Sequence, residues 1–236
     1  TIFVHMTLSV IIVNYNVKKL LKECLQSVVI ATEGVDSEIW VVDNHSYDGS
    51  VEMLQTEFPT VKLIANKENP GFSVANNQAI RQSKGEHILL LNPDTLVKTD
   101  CFQKCLNFME SYPKCGALGV QMHDEAGAFL PESKRGLPTP WVSFSKMSGL
   151  NKLFPSSPRF NRYHLGFLDK DLNHPIDVLA GAFMWMRKSA LDKVGLLDET
   201  FFMYGEDIDL SYRIQQGGWE NWYLGEVSIL HYKGES

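Results

Sequence analysis

The chain has 236 residues, 44% of them hydrophobic, and a formal net charge of -6. That length holds one large domain or two small ones, and the acidic balance argues against nucleic acid as a partner, because phosphate contacts need a basic face. No apolar run approaches the roughly 20 residues that span a bilayer, and residues 1–5 lack the basic and apolar regions of a signal peptide, so Met6 is the expected natural start.

Leu8-Ser9-Val10-Ile11-Ile12-Val13 is a continuous, largely β-branched run, the pattern of a strand buried on both faces. Asn14-Tyr15-Asn16 breaks it, and residues 18–30 predict a helix with Leu20, Leu21, Cys24, Leu25 and Val28 on one face. A second strand, 38–42, ends at Asp43-Asn44-His45-Ser46, and a helix over 50–58 follows with Asp48 or Ser50 as its cap. A short strand is expected at 61–65. Gly71-Phe72-Ser73 then opens a helix through residue 83, capped by Ser73 or Asn69, and residues 86–91 form a fourth strand. A helix over 99–111 and a strand over 116–122 continue the series. Strand and helix alternating in this way call for a parallel sheet with right-handed crossovers.

Residues 123–175 carry most of the prolines among isolated aromatics, including Trp141, Phe144, Phe154 and Tyr163. They read as an excursion, part strand and part mobile loop, rather than a separate domain. Regularity returns with a strand over 176–186, helices over 188–194 and 206–216, and strands at 221–224 and 227–232. Cys24, Cys101, Cys105 and Cys115 form no CxxC pair, so they read as packing residues with free thiols, which fits a reducing, cytoplasmic setting.

Ligands of open parallel sheets collect at the carboxyl ends of strands, where Asn14, Asn16, Asp43 and Asn44 stand. Asp43 there either accepts a hydrogen bond from the imide N–H of a pyrimidine base or forms an Asx turn. The turn through Asn69-Pro70-Gly71 into a helix start offers N–H donors to an anion, or is simply a capped helix. It contains neither GxGxxG nor a Walker lysine, so dinucleotide and P-loop readings lack support. Asn92-Pro93-Asp94 ends an apolar strand, and Asp94 would hold Mg2+ or Mn2+ against a diphosphate or, alternatively, serve a β-turn.

Glu206, Asp207 and Asp209 stand at a helix start, where the dipole favours anions without any function. The entry Phe201-Phe202-Met203-Tyr204-Gly205 is better explained by a dry, shaped site around a base. Asp207 is the candidate general base, Glu206 orients it or the acceptor, and Asp209 pairs with Arg213 one turn on. His231 ends an apolar strand and becomes a metal ligand only if that strand returns beside Asp94.

Seven segments occur in a telling order: SVIIVNYN, VVDNHSYDGS, NPGFSVANN, LLLNPDT, GAFMWM, residues 201–213, and HYKGES. Together they resemble family 2 glycosyltransferases with the GT-A fold, particularly the rhamnosyltransferase-like branch, over nearly the whole chain except 123–175. The resemblance implies an α/β fold with a mostly parallel central sheet flanked by helices and a small additional antiparallel sheet. It implies one domain over 1–236, with a nucleotide-binding half (1–120) and an acceptor-binding, catalytic half (121–236).

It also implies inverting transfer of a sugar from a dTDP- or UDP-sugar to a hydroxyl acceptor, in bacterial cell-surface polysaccharide or glycolipid synthesis. Asp43 would read the base, and Asn14, Asn16, Asn69, Gly71, Asn77 and Asn92 would line the nucleotide pocket. Asp94, at the last position of the family's DxD, and His231 would bind Mg2+ or Mn2+. Asp207 would be the base of the ED pair, beside Glu206. Asn92 replaces the first Asp of a strict DxD, and the QxxRW signature of processive synthases is absent, so single-sugar addition is expected. The acceptor would be a saccharide or a lipid-linked saccharide, with the chain cytoplasmic at the inner face of the membrane. Residues 141–154, with Lys146 and Lys152, would rest on that membrane or fold as a lid over the donor. A non-catalytic nucleotide-sugar or carbohydrate-binding module is the competing reading, and donor hydrolysis separates the two.

Overall fold

The computed structural model describes residues 6–232. The segment before Met6 and the last four residues of the HYKGES motif lie outside the described residues.

The first half is the expected alternation: β1 (Leu8–Asn14), α1 (Lys18–Ala31), β2 (Ser37–Asp43), α2 (Ser50–Glu57), β3 (Lys62–Ala65), α3 (Phe72–Ile80) and β4 (His87–Leu91). A short β5 (Thr95–Val97), α4 (Cys101–Ser111) and β6 (Cys115–His123) follow. Next come α5 (Pro140–Met147), α6 (Leu150–Leu153), β7 (His174–Ile176), β8 (Phe183–Arg187), α7 (Lys188–Val194), α8 (Glu206–Gln216) and β9 (Glu220–His231).

All nine strands join one sheet, in the order β3-β2-β1-β4-β8-β6-β9-β5, with β7 on β9. Pairing among β1 to β4 is parallel. The antiparallel pairs β4–β8, β6–β8, β5–β9 and β7–β9 extend that same sheet rather than forming an additional one.

Side chains alternate across the sheet because successive strand residues point to opposite faces. Val10, Ile12, Leu89 and Leu91 pack with α1, α2 and α4, while Ile11, Ile88 and Leu90 pack with α3, α7 and α8. Both faces are covered, which is why the strands read as unbroken apolar runs. All four cysteines are buried free thiols within these layers.

Four expectations are corrected. Residues 176–186 are not one strand: β7 ends at Ile176, and Val178, Leu179, Ala180 and Ala182 form a buried loop before β8. The two strands expected at 221–224 and 227–232 are one, β9, which crosses Gly225-Glu226 with a register shift against β6. Neither Asp48 nor Ser50 caps α2; Gly49 does, at φ 83°, while Asp48 Oδ1 accepts from Ser50 N and Oγ at 3.0 and 2.6 Å. Gly71, not Ser73 or Asn69, caps α3.

Candidate active site

The carboxyl ends of β1, β2 and β4 open into a cleft of about 540 Å3. It is walled by Val13, Tyr15 and Val17 after β1, Asn44 after β2, and Asn92-Pro93 after β4. Residues from the second half complete it, among them Arg135, Tyr163, Gly181, Glu206, Asp207 and His231.

At the carboxyl ends of β1 and β2, the parallel register sets Asn14 directly beside Asp43. Asn14 Nδ2 donates to Asp43 Oδ2 at 2.7 Å and to Ser46 Oγ at 3.1 Å, and Asp43 Oδ1 accepts from Ser46 N at 2.8 Å. Asp43 thus braces the loop after β2 from behind the cleft wall, buried to 1% exposure. A carboxylate has about four acceptor positions, so these two bonds leave capacity for another donor. Asn16, at φ 56°, braces the same loop by accepting from Tyr47 N at 2.9 Å.

Asn69 and Gly71 line the cleft. Asn69 Oδ1 accepts from Gly71 N at 3.0 Å and from Asn44 Nδ2 at 3.2 Å, and Asn44 in turn accepts from Asn66. Gly71 sits at φ 91°, and a Cβ there would lie 2.7 Å from the Phe202 carbonyl oxygen. Phe72 N donates to that carbonyl at 2.8 Å, so glycine allows the α3 entry to touch the 201–205 loop across the cleft.

Asn77 does not line the cleft. Its Nδ2 donates to the Leu197 carbonyl and to Glu199 Oε1, both at 2.9 Å, and its Oδ1 accepts from Leu197 N at 3.2 Å. It fastens the loop before α8 to α3.

Across from these groups, antiparallel pairing of β5 with β9 sets Thr95 opposite His231. The strand therefore returns where a metal-ligating role required. His231 Nε2 lies 3.4 Å from Asp94 Oδ1, and Tyr232 N donates to the Asp94 carbonyl at 2.8 Å. His231 faces the cleft, Asp94 is buried behind it at 1% exposure, and His231 Nδ1 is buried without a hydrogen-bond partner among the described residues. Among the described residues no third His, Cys, Asp or Glu joins the pair. One carboxylate and one imidazole fit a cation whose remaining positions are filled by a diphosphate and water, the usual habit of Mg2+.

The acidic pair begins α8, whose N-cap Gly205 is left-handed at φ 102°, preceded by Tyr204 at φ 70°. A left-handed tyrosine is costly and tends to occur at functional sites. Glu206 is 6% exposed, and its Oε2 has no partner among the described residues. Burial pushes its carboxyl above the usual range, and the neighbouring Asp207 charge adds to the effect. Asp207 Oδ1 accepts from Ile208 N at 2.8 Å, and its Oδ2 accepts from the Arg135 guanidinium. Arg135 also donates to the Leu179 carbonyl. Asp209 pairs with Arg213 as expected, at 2.6 Å.

Sequence reasoning missed Arg135. The only signal was the Lys134-Arg135 pair inside an excursion otherwise read as part strand and part mobile loop. The two differ in fate: Lys134 turns inward, donating to the Leu165 carbonyl at 2.7 Å, while Arg135 reaches the cleft.

The model for glycosyl transferase family 2 matches residues 9–195, so Glu206, Asp207 and His231 lie beyond the matched span. N-acetylglucosaminyl-diphospho-decaprenol L-rhamnosyltransferase of Mycobacterium tuberculosis is 30% identical over 240 residues, covering 97% of this chain and 77% of that one. Rhamnosyltransferase WbbL of Escherichia coli is 31% identical over 172 residues, covering 69% and 61%. Among solved structures, S. aureus TarS 1-349 superposes with a TM-score of 0.66 at 19% identity, covering 96% of this chain and 60% of that one. GalNAc-T7 with UDP, GalNAc and Mn2+ gives a TM-score of 0.66 at 18% identity, covering 96% and 44%. The chain thus spans less than two thirds of these solved chains, and at such identity the likeness concerns the GT-A fold alone. By its matched family model and its rhamnosyltransferase relatives, the chain belongs to glycosyl transferase family 2.

Proposed function

We propose that this chain is an inverting sugar transferase moving a hexosyl or deoxyhexosyl group from a dTDP- or UDP-sugar to a hydroxyl of a saccharide or lipid-linked saccharide. The reaction would serve cell-surface polysaccharide or glycolipid synthesis at the cytoplasmic face of the membrane. The observation that carries the reading is the pairing of Asp207 with Arg135 in the same cleft that His231 and Asn92 line.

In one in-line step the acceptor oxygen bonds the anomeric carbon as the bond from that carbon to the diphosphate oxygen breaks. The acceptor proton passes to Asp207, and the nucleoside diphosphate leaves with the electron pair. Arg135 holds the Asp207 carboxylate by one oxygen and leaves the carboxylate fixed toward the cleft. Glu206, with a buried oxygen lacking a partner among the described residues, is suited to orient an acceptor hydroxyl. The amide run Asn44, Asn69 and Asn92 faces the nucleotide side, with Asp43, Asn14 and Asn16 shaping the loop behind it. Asp94 and His231 would hold Mg2+ or Mn2+, which when bound neutralises charge on the departing diphosphate.

Residues 1–120 act in this reading as the nucleotide-binding half and 121–236 as the acceptor-binding, catalytic half. The activity named for the mycobacterial relative supports a lipid-linked acceptor. Incubation with dTDP-rhamnose and UDP-N-acetylglucosamine, with and without Mn2+, tests it by the nucleoside diphosphate released. Release lost in Asp207→Asn supports the assignment; equal release from that variant removes Asp207 as base. A binding module would release none from either protein.

A further inference from the structure

The surface of the excursion between β6 and β7 has a composition unlike the rest of the chain. From Ser133 to Leu168 there is no Asp or Glu, and four basic residues stand exposed, Lys146, Lys152, Arg159 and Arg162, while Lys134 and Arg135 turn inward. In a chain whose net charge is -6, this is a local block of opposite sign.

The same segment exposes large apolar side chains. On α5, Val142 and Ser145 face inward, while Trp141, Phe144 and Met147 stand outward at helical spacing, Met147 being 88% exposed. Leu153 and Phe154 at the end of α6 are exposed as well. The rings touch in sequence: Trp141 lies 5.9 Å from Phe144 and 6.1 Å from Phe160, which lies 5.1 Å from Phe154. Arg159 stands over the Trp141 ring at 5.5 Å, so cations border the aromatic run. Scattered exposed apolar residues need no explanation, but a contiguous stripe rimmed by cations does.

The patch is also joined to the cleft. Tyr163 lines the cleft, and its ring lies under Lys146 Nζ, 3.5 Å from the centroid, at the outer turn of α5.

We infer that the α5–α6 surface docks on an anionic lipid bilayer, with Phe144, Met147 and Leu153 entering the interface and Lys152 and Arg159 meeting lipid phosphates. Charge complementarity and an outward apolar stripe between cations are the marks of an interfacial helix. Such an element lies on a membrane and does not cross it, and no helix among the described residues is long and apolar enough to span one. The inference rests on the proposed transfer only for its purpose: docking by this face sets the cleft beside a lipid-linked acceptor.

The test is flotation of the whole chain with vesicles of phosphatidylcholine alone and of phosphatidylcholine mixed equally with phosphatidylglycerol. The chain is expected to float with the anionic vesicles and to be weakened by salt. Phe144→Ser/Met147→Ser/Leu153→Ser and, separately, Lys152→Glu/Arg159→Glu are each expected to lower partitioning about tenfold or more. Each variant's nucleotide-induced thermal shift is read in parallel. An unchanged shift with lost flotation shows an intact fold and isolates the surface.

A wild-type chain that stays with neither vesicle, or variants that float like it, would overturn the inference. So would variants that turn a dimer into a monomer in lipid-free solution with flotation unchanged, since the stripe then meets a second copy. A chain that floats but shows no nucleotide shift would instead count against the transferase reading.

Discussion

Arg135 and Asp207 are joined by a hydrogen bond from guanidinium to carboxylate across 72 residues of sequence, with side chains only 13% and 15% exposed. The contact ties the excursion after β6 to the start of α8. A backbone bridge joins Arg135 to Val178, and the same guanidinium nitrogen that meets Asp207 also donates to the Leu179 carbonyl, so the side chain is held against the loop before β8. Asp207 is thus held by a residue from outside the acidic helix.

Arg135→Ala should reduce kcat by roughly 10²-fold, the penalty of a misplaced catalytic group, with the nucleotide-induced thermal shift retained. Arg135→Lys should recover only part, because a point charge lacks the fork geometry. Steady-state kinetics on both variants checks this; wild-type kcat in Arg135→Ala would free Asp207 from that dependence.

Asp207→Asn should cost about 10²- to 10⁴-fold in kcat, the usual worth of a general base, while nucleotide affinity stays near wild type. Isothermal titration with the nucleoside diphosphate is the companion measurement. Weakened nucleotide binding would place Asp207 on the donor side instead.

Glu206→Gln separates activity from stability. The folded-state carboxyl titrates above its ordinary 4.5. Its contribution to stability is therefore present below about pH 4.5 and is lost as pH rises through the raised value. At pH 8 Glu206→Gln should melt no lower than wild type, with the gap closing toward pH 4, while turnover falls roughly 10- to 100-fold. Melting curves at the two pH values decide it, and a lower midpoint at pH 8 would contradict the assignment.

His87 gives an acid-side signature unrelated to catalysis. Burial, aided by the nearby Arg187 charge, lowers it from 6.5 to about 4. It folds neutral, so its contribution is lost as pH falls from about 6.5 to 4, on the order of 3 kcal/mol. His87→Phe should flatten the acid limb of the stability profile; an unchanged limb would assign it to other groups.

Asn77→Ala distinguishes a latch from a ligand. It removes three bonds to the loop at Leu197 and Glu199. About 1–3 kcal/mol of stability should be lost, with a nucleotide-induced shift still present. Loss of that shift in a folded variant would return Asn77 to the nucleotide pocket.

The order of elements was legible because β1, β2 and β4 are buried on both faces and their apolar runs are continuous. The failures have separate physical causes. Residues 177–182 look like strand because they are apolar and small, but they are buried as a loop, fastened where Leu179 N donates to Ser211 Oγ at 3.1 Å. β5 is only three residues long and exists because β9 returns beside it.

Asp94 and His231 were readable as candidates, and their meeting depends on that late pairing. Glu206 and Asp207 were visible as an acidic start to a helix with an aromatic entry. Arg135 was not, since nothing in its neighbourhood of sequence reports a carboxylate 72 residues away. Asn77 looked like a nucleotide ligand among other amides, yet loop packing had already used its amide.

The most direct measurement is the thermal shift of the chain with UDP, dTDP and GDP, each with and without Mn2+, set beside Asp94→Ala and His231→Ala. Bound ligand raises the midpoint by mass action. A metal-assisted nucleotide site predicts a shift with a pyrimidine diphosphate that grows with Mn2+ in the wild type and loses its Mn2+ dependence in both variants. No shift with any nucleotide, or an Mn2+ response that survives both substitutions, would contradict a metal-assisted nucleotide site in this cleft.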